Sequence, residues 1–115
     1  IVLVSSISGL VNAGRGAKNA NYAASKAGMI GMAKALAVEY APRVRVNVIC
    51  PGGTETPMAE RGRQAAPEMM ARFKADHPMG RFSKAEEVAA MIVAVGTNEA
   101  MTGSVVVVDG GYTAQ

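Results

Sequence analysis

The spacing of apolar residues along the chain predicts three strands. Residues 1–4 form a continuous apolar run rich in β-branched side chains, which is typical of a strand buried on both faces. Valines alternate with polar residues over 44–50, and this alternation predicts a second strand that Pro51 ends. A third strand is predicted over 105–108, before the two glycines that follow Asp109.

Helical spacing occupies the intervals between these strands. An Ala-rich segment over 21–41 predicts a long helix that ends before a proline. A shorter helix is predicted over 68–76, in a mixed stretch where Pro57, Pro67 and Pro78 are interpreted as breakers.

A last helix is predicted from a capping-box pattern, a hydroxyl residue three positions before a carboxylate. Ser83 and Glu86 form this pattern, and apolar spacing continues to Val95, before Gly96. Strands that alternate with helices of this length pair in parallel through right-handed crossovers. The sequence therefore predicts an α/β fold class with a doubly wound parallel sheet, of which three strands are present.

The first predicted strand lacks the features that protect the edge of a sheet. Residues 1–4 are apolar and uncharged, and such an edge pairs readily with other chains. We therefore expect a neighbouring strand outside these 115 residues. Together with a first residue that is Ile1 and not Met, this indicates the second half of a doubly wound domain.

Composition narrows the class of protein. Half of the residues are hydrophobic, which excludes intrinsic disorder, and no apolar run reaches the roughly 18 residues that span a bilayer, so no membrane association is expected. The 12 Lys and Arg exceed the 9 Asp and Glu but are scattered, so no nucleic-acid partner is expected. Cys50 has no disulfide partner, which favours a reducing, cytoplasmic setting, and at the end of a buried strand it is expected to be a core residue. His77 has no second ligand for a metal site and is expected to be structural.

Candidate chemistry lies beyond the carboxyl ends of the first two strands, where open parallel sheets bind ligands. The predicted helix 21–41 begins at the same edge, because a crossover helix runs antiparallel to its strands. Tyr22 and Lys26, four residues apart, share one face of that helix. The Lys26 ammonium favours the phenolate form of Tyr22, and a phenol so tuned can exchange a proton with an alcohol oxygen. An exposed pair at this spacing is otherwise ordinary helix surface, so its position supports the catalytic interpretation.

Five motifs in order resemble the carboxy-terminal half of the short-chain dehydrogenase/reductase (SDR) family. Each is modest alone, but together they extend over nearly the whole chain. They are Ser5-Ser6-x-x-Gly9, Tyr22-Ala23-Ala24-Ser25-Lys26-Ala27-Gly28, Arg45-Val46-Asn47-x-x-x-Pro51-Gly52-x-x-x-Thr56, His77-Pro78-x-Gly80-Arg81 and Thr102-Gly103-x-x-x-x-Val108-Asp109-Gly110-Gly111.

The resemblance implies a Rossmann-like domain and an NAD(P)-dependent oxidoreductase that interconverts a secondary alcohol and a ketone. Tyr22 resembles the catalytic acid/base, and Lys26 resembles the residue that supports it and binds the nicotinamide ribose. Ser6 resembles the residue that holds the substrate oxygen, with Ser8 as an alternative. The residues that match cofactor-binding positions, for NAD or NADP, are Tyr22, Lys26, Pro51, Gly52, Thr54 and Thr56.

Two other functions remain open at this point. One is 3-oxoacyl carrier-protein reduction, in which basic residues of the segment 54–82, where the family places its substrate lid, would contact an anionic carrier. The other is a non-catalytic SDR-like binding or dimerisation fragment. The family's amino-terminal glycine-rich motif is missing, and Gly14-Arg15-Gly16, in a loop over 11–19 that is longer than usual, does not replace it. We therefore expect these 115 residues alone to be inactive.

The small residues of the 21–41 helix suggest close packing against another element. Ala23, Ala24, Ala27, Gly28 and Gly31 leave little side chain between two helix backbones, and each glycine costs about 1 kcal/mol relative to alanine in a helix. The resemblance implies that this helix lies in a subunit interface, so a homotetramer is expected.

Overall fold

Strands and helices alternate along the chain. The structure, a computed structural model, describes residues 1–14 and 18–115. Its elements are β1 (Val2–Val4), α1 (Ala20–Tyr40), β2 (Asn47–Pro51), β3 (Thr54–Glu55), α2 (Pro57–Ala65), α3 (Pro67–Ala75), β4 (Ser83–Lys84), α4 (Ala85–Thr97) and β5 (Val105–Val108). Single 3₁₀ turns lie at Ile7–Gly9 and Tyr112–Ala114. The expected long loop over 11–19, with Gly14-Arg15-Gly16, falls partly on residues 15–17, which lie outside the described residues.

The main sheet is parallel, with the strand order β1-β2-β5. β2 is central, because Leu3 of β1 pairs with Val48 and Val106 of β5 pairs with Ile49. The predicted α/β class and parallel pairing are confirmed. A separate parallel pair, β3 with β4, was not indicated by any sequence pattern.

β2 presents its side chains alternately to two helical layers. Val48 and Cys50 pack with Ile30 of α1 on one face of the sheet. Ile49 packs with Val88 of α4 on the other face. A helix on each face is the doubly wound arrangement that the sequence predicted, and it leaves the strand ends open at the edges of the layers.

Helix α1 lies within one residue of its predicted bounds. It has 21 residues, Ala20–Tyr40, where 21–41 was expected, and the extended backbone of Ala41 ends it. In the part of the chain that the structure describes, no helix is long and apolar enough to cross a membrane.

The second strand begins later than the valine alternation predicted. The expected range was 44–50 and the observed strand is Asn47–Pro51. The Val46 N–H donates to the Thr102 Oγ1 at 3.2 Å, outside any strand ladder. The Arg45 guanidinium donates to the Gly96 and Asn98 carbonyls, both at 2.7 Å, at the end of α4. Arg45 and Val46 therefore donate these hydrogen bonds to the end of α4 and the loop after it, and not to a neighbouring strand.

Two prolines expected to break helices instead begin them. Pro57 and Pro67 are the first residues of α2 and α3, and α2 was not predicted at all. Proline suits the first helical position because its missing N–H has no partner there in any helix. The interpretation of these prolines as breakers was wrong, while the helix expected over 68–76 is confirmed as Pro67–Ala75.

The capping box of α4 lies one residue later than predicted. The Lys84 N–H donates to Glu87 Oε2 at 2.7 Å, so this pair replaces the expected Ser83 and Glu86. The Ser83 N–H donates instead to the Gly53 carbonyl at 2.8 Å, which places Ser83 in β4.

Candidate active site

The loops after β1 and β2 leave the same edge of the sheet. We call them the β1 loop, residues 5–9, and the β2 loop, residues 51–56. β1 and β2 are adjacent and parallel, so their carboxyl ends lie side by side. The Ser5 N–H donates to the Ile49 carbonyl at 2.8 Å, which continues the pairing into the β1 loop.

The Lys26 turn of α1 is fastened to the end of β1. The Lys26 Nζ donates to the Val4 carbonyl at 3.1 Å, and the Ser5 hydroxyl donates to the Lys26 carbonyl at 2.8 Å. The same Nζ lies 5.6 Å from the centroid of the Tyr22 ring. The structure therefore brings Tyr22 and Lys26 together at the strand edge where the sequence placed them.

Gly9 allows this close contact between α1 and the β1 loop. A Cβ at Gly9 would lie 2.7 Å from the carbonyl carbon of Lys26 and 2.8 Å from the Ala27 nitrogen, both of them backbone atoms. A side chain there would push the helix away from the end of β1. The glycine of the Ser5-Ser6-x-x-Gly9 motif is explained by this approach.

Ser6 and Ser8 are placed differently. In the β1 loop, the Ser6 Oγ accepts the Ser8 N–H at 3.1 Å. Within residues 1–14 and 18–115, the Ser6 hydroxyl donates no hydrogen bond of its own. Ser8 contributes instead to the wall of a cleft between the β1 loop and the start of α1.

That cleft, of about 850 Å³, lies on the other side of α1 from Tyr22 and Lys26. Its helical wall includes Ala20, Ala24 and Ala27, which at 100° per residue face away from the Tyr22 side. Neither Tyr22 nor Lys26 is among the residues that line this cleft.

Cys50 is completely buried at the end of β2, beside the β1 loop. Burial raises the pKa of its thiol, against smaller opposing effects from a Ser5 hydrogen bond and the Lys26 charge. A buried thiol held in its neutral form is a core residue, as the sequence predicted, and not a nucleophile.

Hydrogen bonds to the backbone of Gly52 and Gly53 hold the β2 loop in place. The Gly52 N–H donates to the Val108 carbonyl at 2.9 Å, and the Gly53 N–H donates to the His77 Nε2 at 3.1 Å. The Gly53 carbonyl accepts the Ser83 N–H at 2.8 Å. Both polar groups of Gly53 are thus satisfied by residues far along the chain.

The two glycines of this loop are required by its neighbours. A Cβ at Gly52 would lie 2.8 Å from Asp109 Cα and 3.1 Å from His77 Nε2. A Cβ at Gly53 would overlap the Phe82 ring. Residues just after α3, just before β4 and just after β5 therefore close around the loop.

Thr54 and Thr56 direct their hydroxyl groups at nearby backbone. The Thr54 hydroxyl donates to the Gly52 carbonyl at 3.1 Å, and the Thr56 hydroxyl donates to the Thr54 carbonyl at 3.4 Å. The Thr56 oxygen also accepts the Ala59 N–H at 3.3 Å, which caps α2. Thr56 therefore has a local role in addition to any contact with a ligand.

Asp109 organises the chain beyond β5. Its carboxylate accepts the Gly111 N–H at 2.9 Å, the Thr113 N–H at 2.8 Å and the Thr113 hydroxyl at 2.7 Å. Burial alone would raise the pKa of Asp109, but these hydrogen bonds outweigh it and lower the pKa below the ordinary value of 3.8. The carboxylate therefore fixes the turn that follows β5, beside Gly52.

Sequence reasoning missed the residues that support the β2 loop. His77 was expected to be structural, and Phe82 and Asp109 had no assigned role. The Gly52-Gly53 pair was the available signal, because paired glycines after a buried strand indicate a close approach of other chain segments. Which segments approach could not be read from local spacing.

Comparisons with known proteins agree with this geometry. The family described as Enoyl-(Acyl carrier protein) reductase matches residues 1–113. The crystal structure of an oxidoreductase of the short chain dehydrogenase/reductase family from Burkholderia thailandensis superposes with a TM-score of 0.87 at 34% identity, covering 100% of this chain and 45% of that protein. The chain belongs to the SDR family. The predicted family resemblance is confirmed.

Other SDR relatives differ in substrate and cofactor. The 3-oxoacyl-[acyl-carrier-protein] reductase FabG of Thermotoga maritima is 47% identical over 116 residues, which cover 96% of this chain and 44% of the relative. A structure of 4-hydroxyisoleucine dehydrogenase complexed with NADH has a TM-score of 0.87 at 30% identity, covering 100% of this chain and 47% of that protein. A small-chain dehydrogenase in complex with NADPH is also similar, with a TM-score of 0.84 at 31% identity, covering 100% of this chain and 51% of that protein. The chain spans about half the length of these relatives.

Proposed function

We propose that this chain is the carboxy-terminal part of a Rossmann-like SDR oxidoreductase that uses NAD or NADP to interconvert a secondary alcohol and a ketone. The observation that carries the proposal is the Tyr22–Lys26 turn, fastened to the end of β1 through the Val4 carbonyl and the Ser5 hydroxyl. SDR membership and the cofactors bound by similar structures support the same reaction class.

Tyr22 is the proposed acid/base. Its phenol would give a proton to a carbonyl oxygen, or take one from an alcohol oxygen, at the strand edge. The Lys26 ammonium lies 5.6 Å from the ring centroid, so its positive charge is beside the proposed acid/base. The Ser6 hydroxyl would donate to the substrate oxygen, and Ser8 is the weaker alternative because its side chain lines the cleft on the far side of α1.

The residues proposed to hold the cofactor suit a dinucleotide. Lys26 offers an ammonium for ribose hydroxyls, and Tyr22 lies beside it. The β2 loop, with Pro51, Gly52, Thr54 and Thr56, offers a rigid backbone and hydroxyl oxygens at the same sheet edge, where doubly wound folds bind nucleotides. Bound NAD or NADP would supply or accept the hydride, while the chain's own residues orient the substrate and move the proton.

A narrower candidate is 3-oxoacyl carrier-protein reduction, favoured by the 47% identity to FabG. An anionic carrier would need exposed cations near the lid. Arg63 is already paired with Glu55 at 2.8 Å and with Glu60 at 2.9 Å. Arg61 and Arg72 are exposed and would serve better.

The partners proposed for the whole protein are a small-molecule alcohol or ketone and further copies of itself as a homotetramer. Gly28 and Gly31 lie on the exposed side of α1, and a Cβ at either would meet no described atom within 4 Å. Such a smooth helix face suits close packing by another helix. Light scattering on the complete protein should give the mass of four subunits, and a stable monomer would contradict this. A cytoplasmic location stays a prediction from the unpaired Cys50.

The test of the reaction is Tyr22→Phe in the complete protein. Removing the hydroxyl should lower turnover at least about a hundredfold, because acid/base groups contribute on that scale, while binding of NADH or NADPH changes little. Tyr40→Phe is the matched control, since Tyr40 is on the same helix and is 43% exposed against 44% for Tyr22. Near-normal turnover in Tyr22→Phe would contradict the proposed role of Tyr22, whereas complete wild-type protein that binds cofactor without turning over an alcohol or ketone would favour a non-catalytic SDR-like binding protein.

A further inference from the structure

His77 is buried beside the proposed cofactor loop but has no part in the proton transfer. It is the single histidine of the sequence, and its side chain is 2% exposed. The ring lies just after α3, with its centroid 5.0 Å from that of Phe73, 5.3 Å from that of Phe82 and 5.0 Å from that of Tyr112. A polar ring in such surroundings must have its hydrogen bonds satisfied within the protein.

The two ring nitrogens have fixed and different roles. The Gly53 amide can only donate, so His77 Nε2, 3.1 Å away, accepts. The Phe73 carbonyl can only accept, so Nδ1, 2.7 Å away, carries the ring hydrogen and donates. The neutral Nδ1–H form satisfies both bonds, and it bridges the last turn of α3 to the β2 loop.

The contact with Gly53 has no substitute among the described residues. Gly53 is buried, and the Phe82 ring occupies the space beside its Cα. The Gly53 carbonyl is already used by Ser83, and Gly52 is held by Val108. Without the His77 acceptor, a buried amide loses its partner, and the loop would move to find another.

We propose that His77 is a positioning residue that sets the β2 loop for the nicotinamide and couples this loop to α3 of the lid segment. The inference rests on the proposed function, since it assigns cofactor binding to the β2 loop. His77 acts through Gly53 and touches neither cofactor nor substrate. Its effect should therefore appear in cofactor affinity more than in turnover.

Two substitutions separate the two hydrogen bonds of the ring. In His77→Gln, the side-chain carbonyl can reach the place of Nε2 and accept the Gly53 N–H. In His77→Asn, the shorter amide can replace Nδ1 as donor to the Phe73 carbonyl but cannot reach Gly53. Both variants lose the ring and its aromatic contacts, so they form a matched pair.

The measurements are the Kd of NADH and of NADPH, KM and kcat, and amide hydrogen exchange at Gly53 in the cofactor-free complete protein. We expect His77→Asn to raise the Kd about tenfold, to raise KM more than it lowers kcat, and to speed Gly53 exchange. His77→Gln should stay within about twofold of wild type in Kd, because the acceptor for Gly53 is kept.

Equal Kd values in the two variants would overturn the inference, because ring packing alone would then explain the effect. If His77→Asn does not fold, His77→Gln decides, since a tenfold weaker Kd at an unchanged melting temperature would overturn it. Wild-type protein that binds neither NADH nor NADPH would contradict the proposed function and the inference with it. Wild-type binding together with unaffected variants would contradict the inference alone.

Discussion

The β1 loop and the β2 loop leave neighbouring strands at one sheet edge but are held by different kinds of residue. The β1 loop is fixed by Lys26 and Ser5, and Lys26 is also a proposed participant in the chemistry. The β2 loop is fixed by His77, Phe82 and Asp109, which are proposed only to support it. The loop's structure and its proposed function therefore depend on the same side chain at the first loop and on separate side chains at the second. Substitution of Lys26 at the β1 loop should lower turnover and stability together. Substitutions around the β2 loop should instead change stability or cofactor affinity.

The largest effect should come from Lys26→Met. It removes the charge beside Tyr22 and the hydrogen bond to the Val4 carbonyl at once. We expect turnover by the complete protein to fall at least about a hundredfold, accompanied by a lower melting temperature. Lys34→Met, at an exposed position of the same helix, is the control. Turnover above a tenth of wild type would show that the β1 loop does not combine the two roles.

Gly53→Ala should act on the β2 loop through packing. The new Cβ would overlap the Phe82 ring, and overpacking of this kind costs about 1–3 kcal/mol in the free energy of unfolding. Urea unfolding measures the loss, and Phe82→Leu in the same protein should recover part of it. Gly96→Ala in α4 is the control, because its Cβ would meet Val2 at an ordinary 3.8 Å. A Gly53→Ala variant as stable as wild type would mean that the Phe82 ring moves aside at little cost in free energy.

A smaller effect is expected from Asp109→Asn, and it should depend on pH. The folded-state pKa of Asp109 lies below the ordinary 3.8, so its carboxylate stabilises the fold above that value, and the contribution is lost as pH falls through the folded pKa. Wild type should therefore exceed Asp109→Asn in unfolding free energy at pH 7, and the gap should narrow at pH 3. Asp76→Asn is the control, since the Asp76 carboxylate makes no hydrogen bond within the described chain. A difference in unfolding free energy that does not change with pH would show that ionisation of Asp109 is not its cause.

The placement of Tyr22 and Lys26 at one edge of the sheet could be predicted because its signals are local. The two residues lie four apart on one helix, and a crossover helix begins at the carboxyl edge of its strands. The alternation of strands and helices was equally readable, since apolar periods of two and of 3.6 residues are properties of short windows.

The β2 loop support could not be predicted in the same way. His77 lies 24 residues beyond Gly53 in sequence, and the contact depends on where α3 ends. The end of α3 was predicted to within one residue, but local spacing does not show which loop the residues after that end approach. Ser83 also has a partner that local spacing does not show, since its hydroxyl suits a helix cap while its backbone N–H donates to the Gly53 carbonyl.

The aromatic residues around His77 also give the protein a built-in optical signal. The sequence has no Trp and 3 Tyr, of which Tyr22 and Tyr40 are exposed and Tyr112 is buried against His77. A tyrosine in a fixed, asymmetric environment gives near-ultraviolet circular dichroism, whereas mobile surface tyrosines contribute little. Within these 115 residues, that band would come mainly from Tyr112, whose hydroxyl also accepts the Gly14 N–H at 3.1 Å. A spectrometer could therefore follow the packing beside the β2 loop without any added label.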